Sequence, residues 1–204
     1  TTEIYTLSLH DALPICRSGV YTVTNTVDPA VCTGLSATAT VTVAGATWNG
    51  SVNSSWDNPG NWSCGFVPYA STSVEIPDVA VDPVISAGFT GETWDITVSP
   101  GASLTLSGGT IRIYGSVSGN GSIEASSGAV EFAGSVPQTT GGSHFTGGTV
   151  MNLTVNNSAG VSINGPLGVS GVVLVQNGEL ASDGYLTLVS DASGTALIDG
   201  SGTG

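Results

Sequence analysis

Lysine is missing from this chain, and its two arginines, Arg17 and Arg112, stand against fifteen acidic residues. The formal net charge of −13 repels phosphate backbones and anionic membrane surfaces, so neither nucleic acid nor a charged lipid layer is an expected partner. Charged residues of all kinds make up only 8% of the chain and hydrophobic ones 40%, which excludes a disordered acidic tail. No apolar run approaches the roughly 20 residues of a membrane-spanning helix, so membrane insertion is not expected. Helical period is absent from about Thr93 onward, and no Gly-X-Y register accompanies the thirty glycines, which rules out collagen. Histidine occurs only at His10 and His144, too few for a His-rich metal centre. Methionine occurs once, at Met151; from this, and from an ending in mid-pattern, the chain is expected to be a piece of a longer protein.

What is present is alternation. From about Thr93 onward, short runs of alternating apolar and small polar residues are cut by glycines: Ser103-Leu104-Thr105-Leu106-Ser107-Gly108, Thr110-Ile111-Arg112-Ile113-Tyr114-Gly115, Ala129-Val130-Glu131-Phe132 and Gly160-Val161-Ser162-Ile163. Period two bounded by Gly, Asn, Ser and Asp is the signature of strands. The steps from Leu104 to Ile123 and from Leu153 to Leu174 lie near the ~20-residue scale of solenoid repeats. A meander sandwich is the competing arrangement, but the strands are very short and the turns are glycine-rich rather than the Asn-Gly of hairpins. The expected fold is therefore all-β, a parallel β-helix or β-solenoid, with roughly five coils between Thr93 and Gly204.

Four segments are expected. Residues 1–15, TTEIYTLSLHDALPI, resemble the in-frame translation of a widely used short-read sequencing adapter and are set aside from fold reasoning. His10 and Asp11 then carry no functional weight. Residues 16–43 hold two β-rich runs, Val20–Thr26 and Ala37–Val43, about a turn with Asp28-Pro29. Their wording resembles the last two strands of bacterial immunoglobulin-like surface repeats, which implies the C-terminal hairpin of a truncated Ig-like domain. Residues 44–70 form a Trp-rich junction or cap, and residues 71–204 the solenoid.

The junction carries the most distinctive side chains. Trp48, Trp56 and Trp62 fall among Asn, Gly, Ser and Pro, a setting that favours a compact loop with its own small aromatic core. The functional alternative is a sugar-stacking platform, and ring exposure decides between the two. Elsewhere the chemistry is sparse. Ser143 beside His144 is not a triad, because a nucleophile and its base meet through different elements. Glu124 and Glu131 are the best-placed carboxylates for glycan cleavage, yet alternation points them to solvent beside inward Ile123 and Phe132. Asp183, Asp191 and Asp199 recur in turn contexts and are expected to form coil corners. No cofactor is expected. Calcium is the one ion that Asp-rich turns would suit, with Asp57, Asp78 and Asp82 as loose candidates. Of the cysteines, Cys32 would pair with either Cys16 or Cys64 in an exported protein.

The spacing Trp48-Asn49-Gly50, Ser55-Trp56-Asp57 and Gly60-Asn61-Trp62, leading to Val74-Glu75-Ile76-Pro77, resembles large secreted surface proteins of Gram-negative bacteria in the style of type IX secretion cargo and adhesins. The resemblance implies a non-catalytic extracellular or cell-surface module, a stalk, spacer or adhesion unit, with surface glycans or other surface proteins as partners. Two other classes stand beside it: a carbohydrate-binding module using the junction tryptophans, and a fragment of a β-helix polysaccharide-active enzyme.

Overall fold

Each alternating run places its aliphatic side chains on one side of an extended backbone and its Ser and Thr on the other. In Ser103–Ser107 the buried residues are Leu104 and Leu106; in Thr110–Ile113 they are Ile111 and Ile113. A single strand of this kind leaves its backbone groups unpaired, so the next run lies parallel beside it, and the chain winds. The computed structural model describes residues 45–192 and 194–202, and in it the winding is a three-faced β-solenoid of about six coils. Residues 1–44 lie outside the described part, and with them the adapter-like stretch, the Ig-like hairpin and the choice of cysteine pairing.

The coils are most simply followed by their three faces. Coil 1 is Val74–Ile76, Val84–Ser86 and Thr90–Thr93; coil 2 is Ile96–Val98, Ser103–Ser107 and Thr110–Ile113. Coil 3 begins with Val117–Ser118, and the single long strand Ser122–Phe132 then supplies its second and third faces. Coil 4 begins with Gln138–Thr140. Phe145–Ile163 completes it and runs on into the first face of coil 5. Leu167–Val169 and Val172–Ala181 carry the chain into coil 6, which ends with Leu186–Leu188 and Leu197–Asp199. Every pairing between these strands is parallel.

Register makes the core a set of columns. Gly91, Ile111, Val130, Leu153, Val173 and Ile198 stand one above the other on the third face, flanked by Thr93, Ile113, Phe132, Val155 and Val175. Leu104, Ile123 and Phe145 stack on the second. Val74, Ile96 and Val117 stack on the first. Each fully buried aliphatic side chain contributes about 1.5–3 kcal/mol of hydrophobic stabilisation. Strands turn the corners at glycines. At Gly128, φ is +105° and a side chain would run into the carbonyl oxygen of Gly109 on the coil below; only glycine satisfies both conditions.

The two ends differ. At the first, the Trp-rich loop continues the winding as a partial coil: Ala46–Thr47 pairs with Val74–Glu75, and Ser55 bridges to Val84. This closes the core. At the other end, Leu188, Leu197 and Ile198 are 38%, 46% and 60% exposed, because no described residue lies over them.

Candidate functional site

The first-face ladder is interrupted once. Four strands pair in the order Ala46–Thr47, Val74–Ile76, Ile96–Val98 and Val117–Ser118. Gln138–Thr140, next in coil order, pairs only with 161–163 on its far side. The sequence accounts for the gap. The chain enters coil 4 through Ser135-Val136-Pro137; proline has no N–H to give a ladder. The next residue is glutamine where the neighbouring coils carry Val74, Ile96, Val117 and Val161.

Gln138 repairs the gap with its side chain. Its buried amide donates from Nε2 to the carbonyl oxygens of Ile113 at 3.0 Å and Gly115 at 2.7 Å. Its Oε1 accepts from Gly134 N at 3.1 Å and from Asn157 Nδ2 at 2.7 Å. Asn157, also fully buried, donates to the Val136 carbonyl at 2.8 Å and accepts from Ala159 N at 2.8 Å. Both Gln138 donors and its carbonyl are thus occupied, which is what a buried amide requires.

Beside this network the gap opens as a cleft of about 490 Å³. Its apolar lining is Trp94, Val117, Val136 and Pro137; its polar lining includes Asp95, Ser116, Thr139, His144 and Asn164. Trp94 is 38% exposed and Val136 48%. Asp95 is held in place: its Oδ1 accepts from the Ser116 amide and hydroxyl, both at 2.7 Å, and its Oδ2 from Ser73 Oγ at 3.3 Å. The half-buried His144 ring is kept below the usual histidine range by burial, so near neutral pH it is an uncharged donor and acceptor.

The residues singled out from the sequence lie elsewhere. Trp48, Trp56 and Trp62 are packed edge to face at the closed end, Trp48 on Trp62 at 5.0 Å and Trp56 on Trp62 at 4.7 Å. All three are buried. Trp48 Nε1 donates to the Val81 carbonyl at 2.7 Å, and Trp62 Nε1 to that of Trp56 at 2.8 Å. Buried Asn61 ties the loop together, accepting from Val52 N and Asn53 N and donating to Asn53 Oδ1 and the Ser55 carbonyl. None of the three rings has a free face in this arrangement.

Glu124 and Glu131 stand on different faces, the second and the third. Glu124 accepts from Ser126 N at 3.0 Å, and hydrogen bonding from Ser126 holds its carboxyl below the usual range. Glu131 departs from the expectation of a solvent-facing side chain: it is only 7% exposed. It projects outward as alternation requires, but Arg112 of the coil below lies against it, Nε to Oε2 at 2.9 Å, and Asn156 Nδ2 donates to its Oε1 at 3.3 Å. Arg112 also meets Glu92 at 3.2 Å, and Tyr114 donates to the same Glu92 oxygen at 3.1 Å. Burial alone would make the Arg112 guanidinium give up its proton more readily; Glu131, Tyr114 and Glu92 outweigh it and the net shift is upward.

The turn aspartates are tied locally. Asp191 accepts from Gly194 N and Asp199 from Ser201 N, while Asp183 occupies a left-handed turn position with φ +47°. Of the calcium candidates, Asp82 accepts from Ser103 Oγ and Asp57 from Ser55 Oγ. Among the described residues, no three His, Cys, Asp or Glu side chains come together as a metal-holding group. No helix there is long and apolar enough to cross a membrane.

The sequence signal for the cleft was faint. Trp94 is the one tryptophan outside the turn-rich loop, next to an aspartate in Thr93-Trp94-Asp95-Ile96. Gln138 is a lone amide on a strand position its neighbours give to valine and isoleucine. Neither residue declares its partners, which lie about one coil away.

The described residues thus form a parallel β-solenoid with a Trp-packed closed end and a cleft at a break in its ladder. Residues 47–147 match a family described as a domain of unknown function (DUF8693). The matched stretch takes in the Trp-rich loop and every named cleft residue except Asn164. No curated protein and no solved structure matches the chain.

Proposed function

We propose that this chain is a non-catalytic structural and adhesion module of a large secreted or cell-surface protein of bacterial origin, in the style of adhesins and type IX secretion cargo. It holds a fixed rod between other parts of its parent. The observation that carries the reading is how the polar side chains are used. On the outward surface many of them join one coil to the next. Thr97 and Ser118 share a hydrogen bond at 2.9 Å, Ser103 donates to Asp82 at 2.8 Å, and Ser116 to Asp95 at 2.7 Å. Arg112 spans Glu92 and Glu131, one coil to either side.

Such ladders stiffen the axis, along which each coil adds about 4.8 Å. They also engage carboxylates that glycan hydrolysis would need to have paired and open. The test is prolonged incubation of the chain with a panel of neutral and acidic polysaccharides, followed by assay for new reducing ends and unsaturated sugars. The expected result is no product. Turnover abolished by Glu124→Gln or Glu131→Gln would replace this reading with an enzymatic one.

A further inference from the structure

A spacer needs no open aromatic beside a polar-rimmed hollow, yet the break between coils 3 and 4 has one. We propose that this cleft binds a neutral saccharide, with the Trp94 indole as stacking platform and Asp95, Ser116, Thr139, His144 and Asn164 as the hydrogen-bonding rim. The proposal takes its setting from the adhesion reading above and adds to it a ligand class and a site.

Size and lining favour a small polar ring over other occupants. A volume of about 490 Å³ falls inside the range of about 300–1,000 Å³ usual for ligand sites. A pyranose has an apolar face of C–H groups and an equator of hydroxyls. Trp94, Val136 and Pro137 suit the first. The rim suits the second, because hydroxyls both donate and accept. Asp95 already holds three hydrogen bonds, which fix its orientation, and a carboxylate has room for about one more. The His144 ring makes no hydrogen bond to another described residue and is half-buried at the edge.

Charge selects within sugars. The cleft has a carboxylate and no cation, and Arg112, the one arginine among the described residues, is engaged by two glutamates on the third face. A uronic acid or sulfated sugar would meet an unpaired negative charge, whereas a neutral one would not. The competing occupant is an extended peptide inserted as a strand into the ladder gap. Gln138 stands against it, because its amide already holds the Ile113 and Gly115 carbonyls at that gap.

The test is titration of the full chain with neutral hexasaccharides (β-1,4-glucan, β-1,3-glucan, xylan and mannan), with a polygalacturonate hexamer and an extended Ser/Thr/Val peptide as comparators, followed by calorimetry. The expected result is saturable binding of at least one neutral hexasaccharide, weakened about tenfold or more by Trp94→Ala and partly restored by Trp94→Phe. Val136→Asp, at an exposed position, blocks the same cleft without touching the core and is expected to weaken binding as well. Circular dichroism and urea midpoints confirm that each variant is folded. No binding by any neutral hexasaccharide, binding indifferent to both Trp94→Ala and Val136→Asp, or tighter binding of the polygalacturonate or the peptide would each overturn the proposal. None of these outcomes touches the stalk reading, which falls only to turnover.

Discussion

Replacing Gln138 by alanine tests whether one side chain stands in for a missing stretch of β-ladder. The change removes the partner of the Gly115 carbonyl and of the Gly134 amide, and one of two partners of the Ile113 carbonyl, which keeps Ala133 N at 2.9 Å, and of Asn157 Nδ2. Each buried polar group left unpaired costs about 1–3 kcal/mol. The sum is reduced because Gly115 lines the cleft, where water can replace the lost amide, and Asn157 keeps its bond to Val136. A net loss of about 2–4 kcal/mol is expected. Urea unfolding followed by circular dichroism and tryptophan emission measures it, with exposed Thr139→Ala as a control expected within about 0.5 kcal/mol of the parent. Gln138→Glu refines the test. A carboxylate of the same shape turns two donors into acceptors facing two carbonyls, so burial and those dipoles raise its folded-state pKa above the unfolded value. The folded state then holds a proton that the unfolded state releases, and the penalty grows as pH rises from about 4.3 until the folded-state pKa is passed. A Gln138→Ala loss below about 1 kcal/mol would falsify the claim that this amide replaces the ladder.

Two further outcomes follow from the packing and the titration. Gly91→Ala places a methyl group 2.7 Å from Ile85 Cδ1 and 3.1 Å from the buried Trp56 ring; a loss of about 1–3 kcal/mol is expected, with a red shift of tryptophan emission as the closed end loosens. His144 is depressed by burial, so its stability contribution is fully present above the unfolded value of about 6.5 and is lost as pH falls through the lower folded value. His144→Phe is expected to flatten the decline in urea midpoint between pH 7.5 and pH 5 relative to the parent; an unchanged slope would count against burial as the cause.

The coil itself was legible because its cause is local. Leu104 and Leu106, or Ile111 and Ile113, alternate with small polar residues, and period two states which side of a strand meets the core. The return of that pattern after about twenty residues carried the solenoid. What was not legible depends on register, which places residues one coil apart in contact. Glu131 reads as an exposed glutamate until Arg112 is known to lie against it. Gln138 is a lone amide on a strand position until the carbonyls of Ile113 and Gly115 are placed beside it. Gly128 and Gly147 read as strand ends, yet Ser122–Phe132 and Phe145–Ile163 pass through them, because pairing with neighbouring coils continues on both sides of the bend. Trp94 lies in a run that looks like any other strand; its exposure comes from a gap that opens only when coil 4 fails to pair with coil 3.

That gap also decides how the rod responds to force. Coils 3 and 4 are fastened along the second and third faces, while on the first face they share side-chain bonds and no strand pairing. Tension along the axis is carried unevenly across this one junction, so the molecule has a hinge line built into it at a known height. Pulled from its two ends, it should yield first by opening along the first face between Val117 and Gln138, with the coils on either side still wound.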